Sequence, residues 1–244
     1  MSRIMVILLA WLAALAAPMA RASAADGAPT SAAAHPAPVI LVFGDSLSAG
    51  YGVPPGHGWV DLLAQKIARE GYDFRVVNAS VSGETTAGGL ARLPRALAMH
   101  APRILMLELG ANDGLRGLPV AQAQANLEQM IGLAQARGAR VLLIGIRMPP
   151  NYGERYTSEF HAMYGQLAQR YGLALVPFLM ASVALKPGFI QADGLHPNER
   201  AQPLLLATVW PTLQPLLAPT AHLAAHHGAH LGAPPRTPAA RGPR

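Results

Sequence analysis

Five short apolar runs, at 39–43, 74–79, 104–109, 141–146 and 173–178, punctuate the chain and read as strands buried on both faces. Between them, segments 59–70, 87–100, 120–137 and 155–171 place apolar residues at three- and four-residue spacing, with Gly71, Gly138 and Gly172 as stop signals. A last helix is expected from near Glu199 to Leu217, and Pro203 and Pro211 within it predict a late start, a kink or two short pieces. Alternation of strand and helix builds a parallel sheet with right-handed crossovers and helices on both faces. One α/β domain is therefore expected over 39–218.

The two ends break this pattern. Residues 1–24 open on Arg3, continue through an apolar run at 4–17 and close on Ala22, Ser23 and Ala24, the layout of a cleavable signal peptide. That run is shorter than the ~20 residues a spanning helix needs, so export followed by cleavage near Ala24 is expected, with no stable membrane insertion afterwards. Residues 25–38 read as a flexible lead-in, and 219–244 as a disordered tail rich in Pro and Ala. His226 and His230 of that tail have helical i, i+4 spacing, but no carboxylate or Cys accompanies them, and no metal site is assigned. With no cysteine at all, the chain needs no oxidative folding.

Composition fits one compact domain: of 244 residues, 51% are hydrophobic and 13% charged. The net charge of +6 is a property of the ends. Of the 19 Lys and Arg, five (Arg3, Arg21, Arg236, Arg241 and Arg244) lie there, leaving 14 to face all 13 acidic residues. A nearly neutral body has no basic stripe to track phosphates, which excludes nucleic acid and an anionic membrane surface as partners. Nothing in the sequence sets an oligomeric state.

In an open α/β sheet, ligands sit beyond the carboxyl ends of the strands. Here the first expected strand ends in Gly44-Asp45-Ser46, the second in a run from Asn78 to Gly83, the third in Gly110-Ala111-Asn112-Asp113, and a loop after the fifth carries Asp193-Gly194-Leu195-His196. Ester hydrolysis needs a nucleophile, a base, a group that orients the base, and donors for the oxyanion. Ser46 suits the first role, His196 the second, and Asp193, three residues before His196, the third. The backbone N–H groups of Ser46 and Gly83 and the side-chain amide of Asn112 suit the fourth. Glycine lets a carbonyl approach the backbone, and Asn donates without carrying charge.

At these residues the sequence resembles the GDSL family, also called SGNH hydrolases. Gly44 to Ser48 matches its first block, Gly83 the second, Gly110 to Asp113 the third, and Asp193 with His196 the last. Within the family it looks most like the periplasmic thioesterase/arylesterase/lysophospholipase group, over roughly 39–217. The resemblance implies a flavodoxin-like three-layer α/β/α sandwich with a five-stranded parallel sheet, and catalysis by Ser46, Asp193 and His196 with neither metal nor cofactor. It also implies an acyl ester or thioester, small molecule or lipid, as the substrate. Glu84-Thr85 departs from the Asp-Thr usual in close relatives, which bears on how the loop around Gly83 is bonded.

Asp45 and Asp113 adjoin these residues and read as turn caps holding Ser46 and Asn112 in place. Leu115, Met148, Pro149 and Tyr152 are expected to line an acyl groove. The Gly-rich stretch at 50–58 lacks both phosphate-binding patterns, so no nucleotide site is expected. Two other readings use the same residues: a carbohydrate O-acetylesterase, and a secreted binding protein that keeps the fold without turnover. An intact catalytic set argues against the second.

Overall fold

The computed structural model describes residues 36–184 and 186–218. The expected signal peptide at 1–24, most of the lead-in at 25–38 and the tail at 219–244 lie outside the described residues. Among the described residues five strands, β1 (Val39–Gly44), β2 (Arg75–Asn78), β3 (Ile104–Glu108), β4 (Arg140–Ile144) and β5 (Ala174–Val176), form one all-parallel sheet in the order β2-β1-β3-β4-β5. Each falls on one of the five apolar runs. Ile40 to Phe43 of β1 are wholly buried, as are Ile104 to Leu107 of β3, which is why these runs show no polar alternation.

Among the described residues seven α-helices occur, in chain order α1 (Ser46–Ala49), α2 (Trp59–Arg69), α3 (Thr86–His100), α4 (Ala111–Leu115), α5 (Val120–Gln135), α6 (Glu154–Tyr171) and α7 (Gln202–Leu217). The crossover from β1 to β2 runs one way across the sheet, while those that follow run the other way. With every crossover right-handed, α2 falls on one face and α3, α5 and α6 on the other. α7 joins α2, and α3 packs on α5 and α5 on α6, giving the three-layer sandwich. Each fully buried Leu, Ile or Val at these faces, Leu63, Leu97, Ile131, Leu205 and Val209 among them, stabilises the fold by about 1.5–3 kcal/mol.

α7 begins late, as its prolines predict, after a 3₁₀ turn at Glu199–Ala201 that places Pro203 in the first turn. It then runs unbroken over Pro211 and Pro215. Both prolines are exposed, so the backbone carbonyls they leave unbonded face water, while Leu205, Val209, Leu213 and Leu217 form the buried stripe at i, i+4 spacing. The four- and five-residue helices α1 and α4 escape any periodicity argument. They start directly beyond β1 and β3, the neighbouring strands whose onward crossovers diverge, and a sheet of this order opens its ligand crevice there.

Candidate active site

The end of β1 is fitted tightly to the end of β3. Gly44 pairs with Glu108 in register, and a Cβ on Gly44 would lie 2.5 Å from Glu108 Oε2 and 2.8 Å from Glu108 O, so only glycine fits. The chain then turns sharply into α1. Asp45 caps that helix, its Oδ1 accepting from Leu47 N at 3.0 Å, and Gly50 closes it in the left-handed conformation at φ 76°. Ser46, the first helical residue, is thus presented half-buried at the crevice. Trp59 braces the turn from beneath by donating its Nε1–H to Leu47 O at 3.2 Å.

His196 arrives from a loop that is held locally. Asp193 Oδ1 accepts from the backbone N–H groups of Leu195 (2.9 Å) and His196 (3.1 Å), while Oδ2 lies 2.6 Å from His196 Nδ1. One carboxylate therefore shapes the loop and orients the imidazole. The Leu195 N–H first, then the His196 side chain and the His196 N–H, pull the Asp193 carboxyl down to about 2. The other ring nitrogen, His196 Nε2, stands 2.9 Å from Ser46 Oγ. Residues 150 positions apart in sequence are thereby joined into one relay.

Asn112 lies in α4 after Gly110, whose φ of 127° and contact with the Tyr164 hydroxyl both require glycine. The Asn112 amide donates to Glu84 O at 2.9 Å and to Asp45 Oδ2 at 3.2 Å, so it ties the second loop to the turn that carries Ser46. Asp113, expected as a cap of its own turn, bonds elsewhere: it accepts from Thr86 N (2.8 Å) and Thr86 Oγ1 (2.6 Å) and so joins α4 to the start of α3. Gly83 is exposed at φ 81° with open space where a Cβ would stand; its backbone conformation, not crowding, calls for glycine. Glu84 pairs with Arg92 (2.7 Å), which also donates to Ala79 O (2.8 Å), so this carboxylate anchors the Gly83 loop to α3.

An apolar cleft of about 560 Å³ opens at the relay. Ser46, Asn112 and His196 stand on its wall with Leu115, Met148 and Pro149. Tyr152 stands behind it, donating its hydroxyl to Leu115 O at 2.9 Å. Sequence reasoning missed the far wall, formed by Phe178, Met180, Ala184, Ile190 and Leu195. The rule that points to strand ends, applied to β5, reaches Phe178 and Met180; the others follow from loop geometry alone.

Sequence reasoning also missed Glu108. An acid closing an otherwise apolar strand is the available signal. It is fully buried, with Oε2 accepting from Ser48 Oγ at 2.6 Å and from Asp45 N at 3.4 Å. Burial first, then the charge of Asp45, holds its carboxyl well above the usual range, and burial lifts Asp45 to about 6. Both folded-state values exceed the unfolded ones, so these groups stabilise the fold fully at pH values below the unfolded carboxylate range, near 4. The contribution of Asp45 is lost as pH rises through about 6, and that of Glu108 is lost as pH rises through its own raised value. Asp193, shifted the other way, loses its contribution only as pH falls from 3.8 towards 2. Unfolding free energy is accordingly expected to decrease as pH rises from about 4 to about 6, by at most about 1.4 kcal/mol per pH unit for each group. Glu108→Gln, a neutral isostere, should flatten that slope in denaturant titrations, and an unchanged slope would show that Glu108 is ionised in the fold.

Residues 42–203 match the GDSL-like Lipase/Acylhydrolase family. The chain is 55% identical over 178 residues to esterase TesA of Pseudomonas aeruginosa, covering 73% of this chain and 89% of that protein. It is 46% identical over 169 residues to thioesterase 1/protease 1/lysophospholipase L1 of Escherichia coli, covering 69% and 80% respectively. The crystal structure of TesA superposes with a TM-score of 0.72 over 73% of this chain and 99% of that one. That of the psychrotrophic esterase EstA from Pseudoalteromonas sp., inhibited by monoethylphosphonate, gives 0.71 at 42% identity, over 73% of this chain and 98% of that one.

Proposed function

The chain belongs to the GDSL-like lipase/acylhydrolase family, and we propose that it hydrolyses carboxylic esters and thioesters through an acyl-enzyme on Ser46. The observation that carries this reading is the relay Asp193–His196–Ser46, at 2.6 and 2.9 Å, set at the mouth of an apolar cleft. His196 Nε2 takes the Ser46 proton as Oγ attacks the acyl carbon. The carbonyl oxygen becomes anionic and is held by the N–H groups of Ser46 and Gly83 and by the Asn112 amide, which turns one N–H from its present acceptors. His196 then protonates the departing alcohol or thiol, and later activates the water that releases the acid. Asp193 holds the ring in the tautomer that leaves Nε2 free to accept, and its depressed carboxyl favours the imidazolium formed on the way.

The cleft selects the acyl half. Its walls are Leu, Met, Ile, Phe and Pro side chains with Arg147 at the edge, which suits a fatty acyl group better than the acetyl group of a sugar ester. The relatives named esterase and thioesterase 1/lysophospholipase L1 support the same substrate class. A panel of nitrophenyl esters from acetyl to palmitoyl, acyl-CoA, lysophospholipid and acetylated sugar tests it. Turnover of the longer acyl esters and the thioester is expected, unaffected by chelator; activity confined to acetylated sugar would overturn it.

Export rests on the pattern of residues 1–24, and no described helix is long and apolar enough to cross a membrane. Protein recovered from the exported fraction should have an intact mass that begins near Ala25. A chain retained in the cytoplasm with Met1 in place would overturn the assignment.

A further inference from the structure

Tyr51 is one of the few large apolar side chains left exposed, at 53%, yet it is placed with care. Its N–H donates to Ser46 O at 3.2 Å, fastening it to the nucleophile turn. Its carbonyl accepts from Gln191 Nε2 at 2.8 Å, and Gln191 in turn bonds the His196 loop, donating its N–H to His196 O at 2.8 Å and its amide to Pro197 O at 3.0 Å. The Gln191 amide lies where a side chain on Gly52 would be, so glycine there admits the cross-link. The result is a phenol ring tilted over the His196 imidazole, with centroids 4.5 Å apart, and more than half of its surface in solvent.

The ring is no part of the cleft wall that receives the acyl chain. The stereochemistry of acyl transfer gives it a different neighbour. Around the tetrahedral carbon stand Ser46 Oγ, the oxyanion facing Asn112 and Gly83, the acyl chain in the cleft, and the leaving-group oxygen. That last atom must face His196 Nε2, because it takes the proton that Nε2 carries as its bond to carbon breaks, leaving the acyl group on Ser46. Whatever is attached to it therefore passes across the imidazole to the open side of the Tyr51 ring.

We propose that Tyr51 forms a leaving-group subsite selective for flat aromatic alcohols such as phenols and naphthols, opposite the cleft that binds the acyl chain. The inference rests on the acyl-enzyme reading above. Aromatic rings prefer offset or edge-to-face contact at centroid separations within reach of an exposed ring, and such pairs add a specific increment to area burial. An alkyl alcohol cannot collect it.

The test pairs 2-naphthyl butyrate with ethyl butyrate, which share an acyl group and differ only in what leaves. In Tyr51→Leu the ratio of kcat/KM for the aryl over the alkyl ester is expected to fall about 3- to 10-fold, and in Tyr51→Phe to stay near that of the unmodified protein. An unchanged ratio in Tyr51→Leu, whatever the absolute rates, would overturn the subsite and leave Tyr51 as a brace for His196. Ser46→Ala is measured alongside. Persistent hydrolysis of both esters by that variant would overturn the acyl-enzyme itself, a separate failure from an unchanged ratio in a chain whose Ser46 still takes a fluorophosphonate.

Discussion

Ser46→Ala is expected to lower kcat on every ester and thioester by about 10⁶-fold, the scale seen when the nucleophile of another serine hydrolase is removed. Labelling by a fluorophosphonate, which needs the same oxygen, should disappear with it. The melting temperature should barely move. Ser46 is half-buried, and its Oγ is bonded to His196 Nε2, a nitrogen on a side chain that remains 21% exposed. Removing the hydroxyl leaves that nitrogen within reach of water, so no buried group is stranded and the change stays in the range of about ±0.5 kcal/mol typical of partly exposed sites. Asp193 still holds the ring through Nδ1. A variant that keeps its labelling, or keeps turnover above the background rate, would remove Ser46 from the mechanism. A variant that loses activity together with its fold would be uninformative only without the melt, which is why the two measurements belong to one preparation.

The sequence carries the layered fold because the central strands β1, β3 and β4 are buried on both sides, while the edge strand β2 keeps exposed ends. A strand such as Ile104–Glu108 has no solvent face, so its run of apolar residues survives in one dimension. The same logic reaches the strand ends and hence Ser46, Asn112 and the loop of Asp193 and His196. It fails where the deciding quantity is a register. That Gly44 pairs with Glu108 cannot be read from either segment, yet this pairing buries an acid under the Ser46 turn and lifts both it and Asp45 from their ordinary values. Tyr51 lies in the Gly-rich stretch at 50–58, where the sequence marks it for no role, and only the closure of the Gln191 loop lays its ring on His196. Asp113 was expected to hold its own turn; its bonds to Thr86 depend on how α3 enters, which local propensity does not encode. The far wall of the cleft, from Phe178 to Leu195, has little regular structure and so no period to find.

Asn112 poses the sharper mechanistic question, because its amide already has employment. Both N–H groups are engaged, one with Glu84 O and one with Asp45 Oδ2, and this bracing links the loop of Gly83 to the turn of Ser46. If bracing were its whole contribution, Asn112→Ala would lose two hydrogen bonds, leave the buried Asp45 carboxylate short of a donor and lower stability by about 1–3 kcal/mol. The molecules that remained folded would still turn over at a near-normal rate. If the amide also receives the oxyanion, kcat should fall by about 10²- to 10³-fold, equivalent to about 3–4 kcal/mol of transition-state stabilisation. KM should change far less, since the ground-state carbonyl carries little of that charge. The rate of phosphonylation of Ser46 should fall with kcat, because the phosphonyl oxygen sits where the oxyanion would. We expect both the stability loss and the kinetic loss, with the kinetic one measured well below the melting temperature so that unfolding does not contribute. A variant with a lowered melting point, near-normal kcat and undiminished phosphonylation would leave Asn112 as a brace and assign the oxyanion to the backbone N–H groups of Ser46 and Gly83 alone.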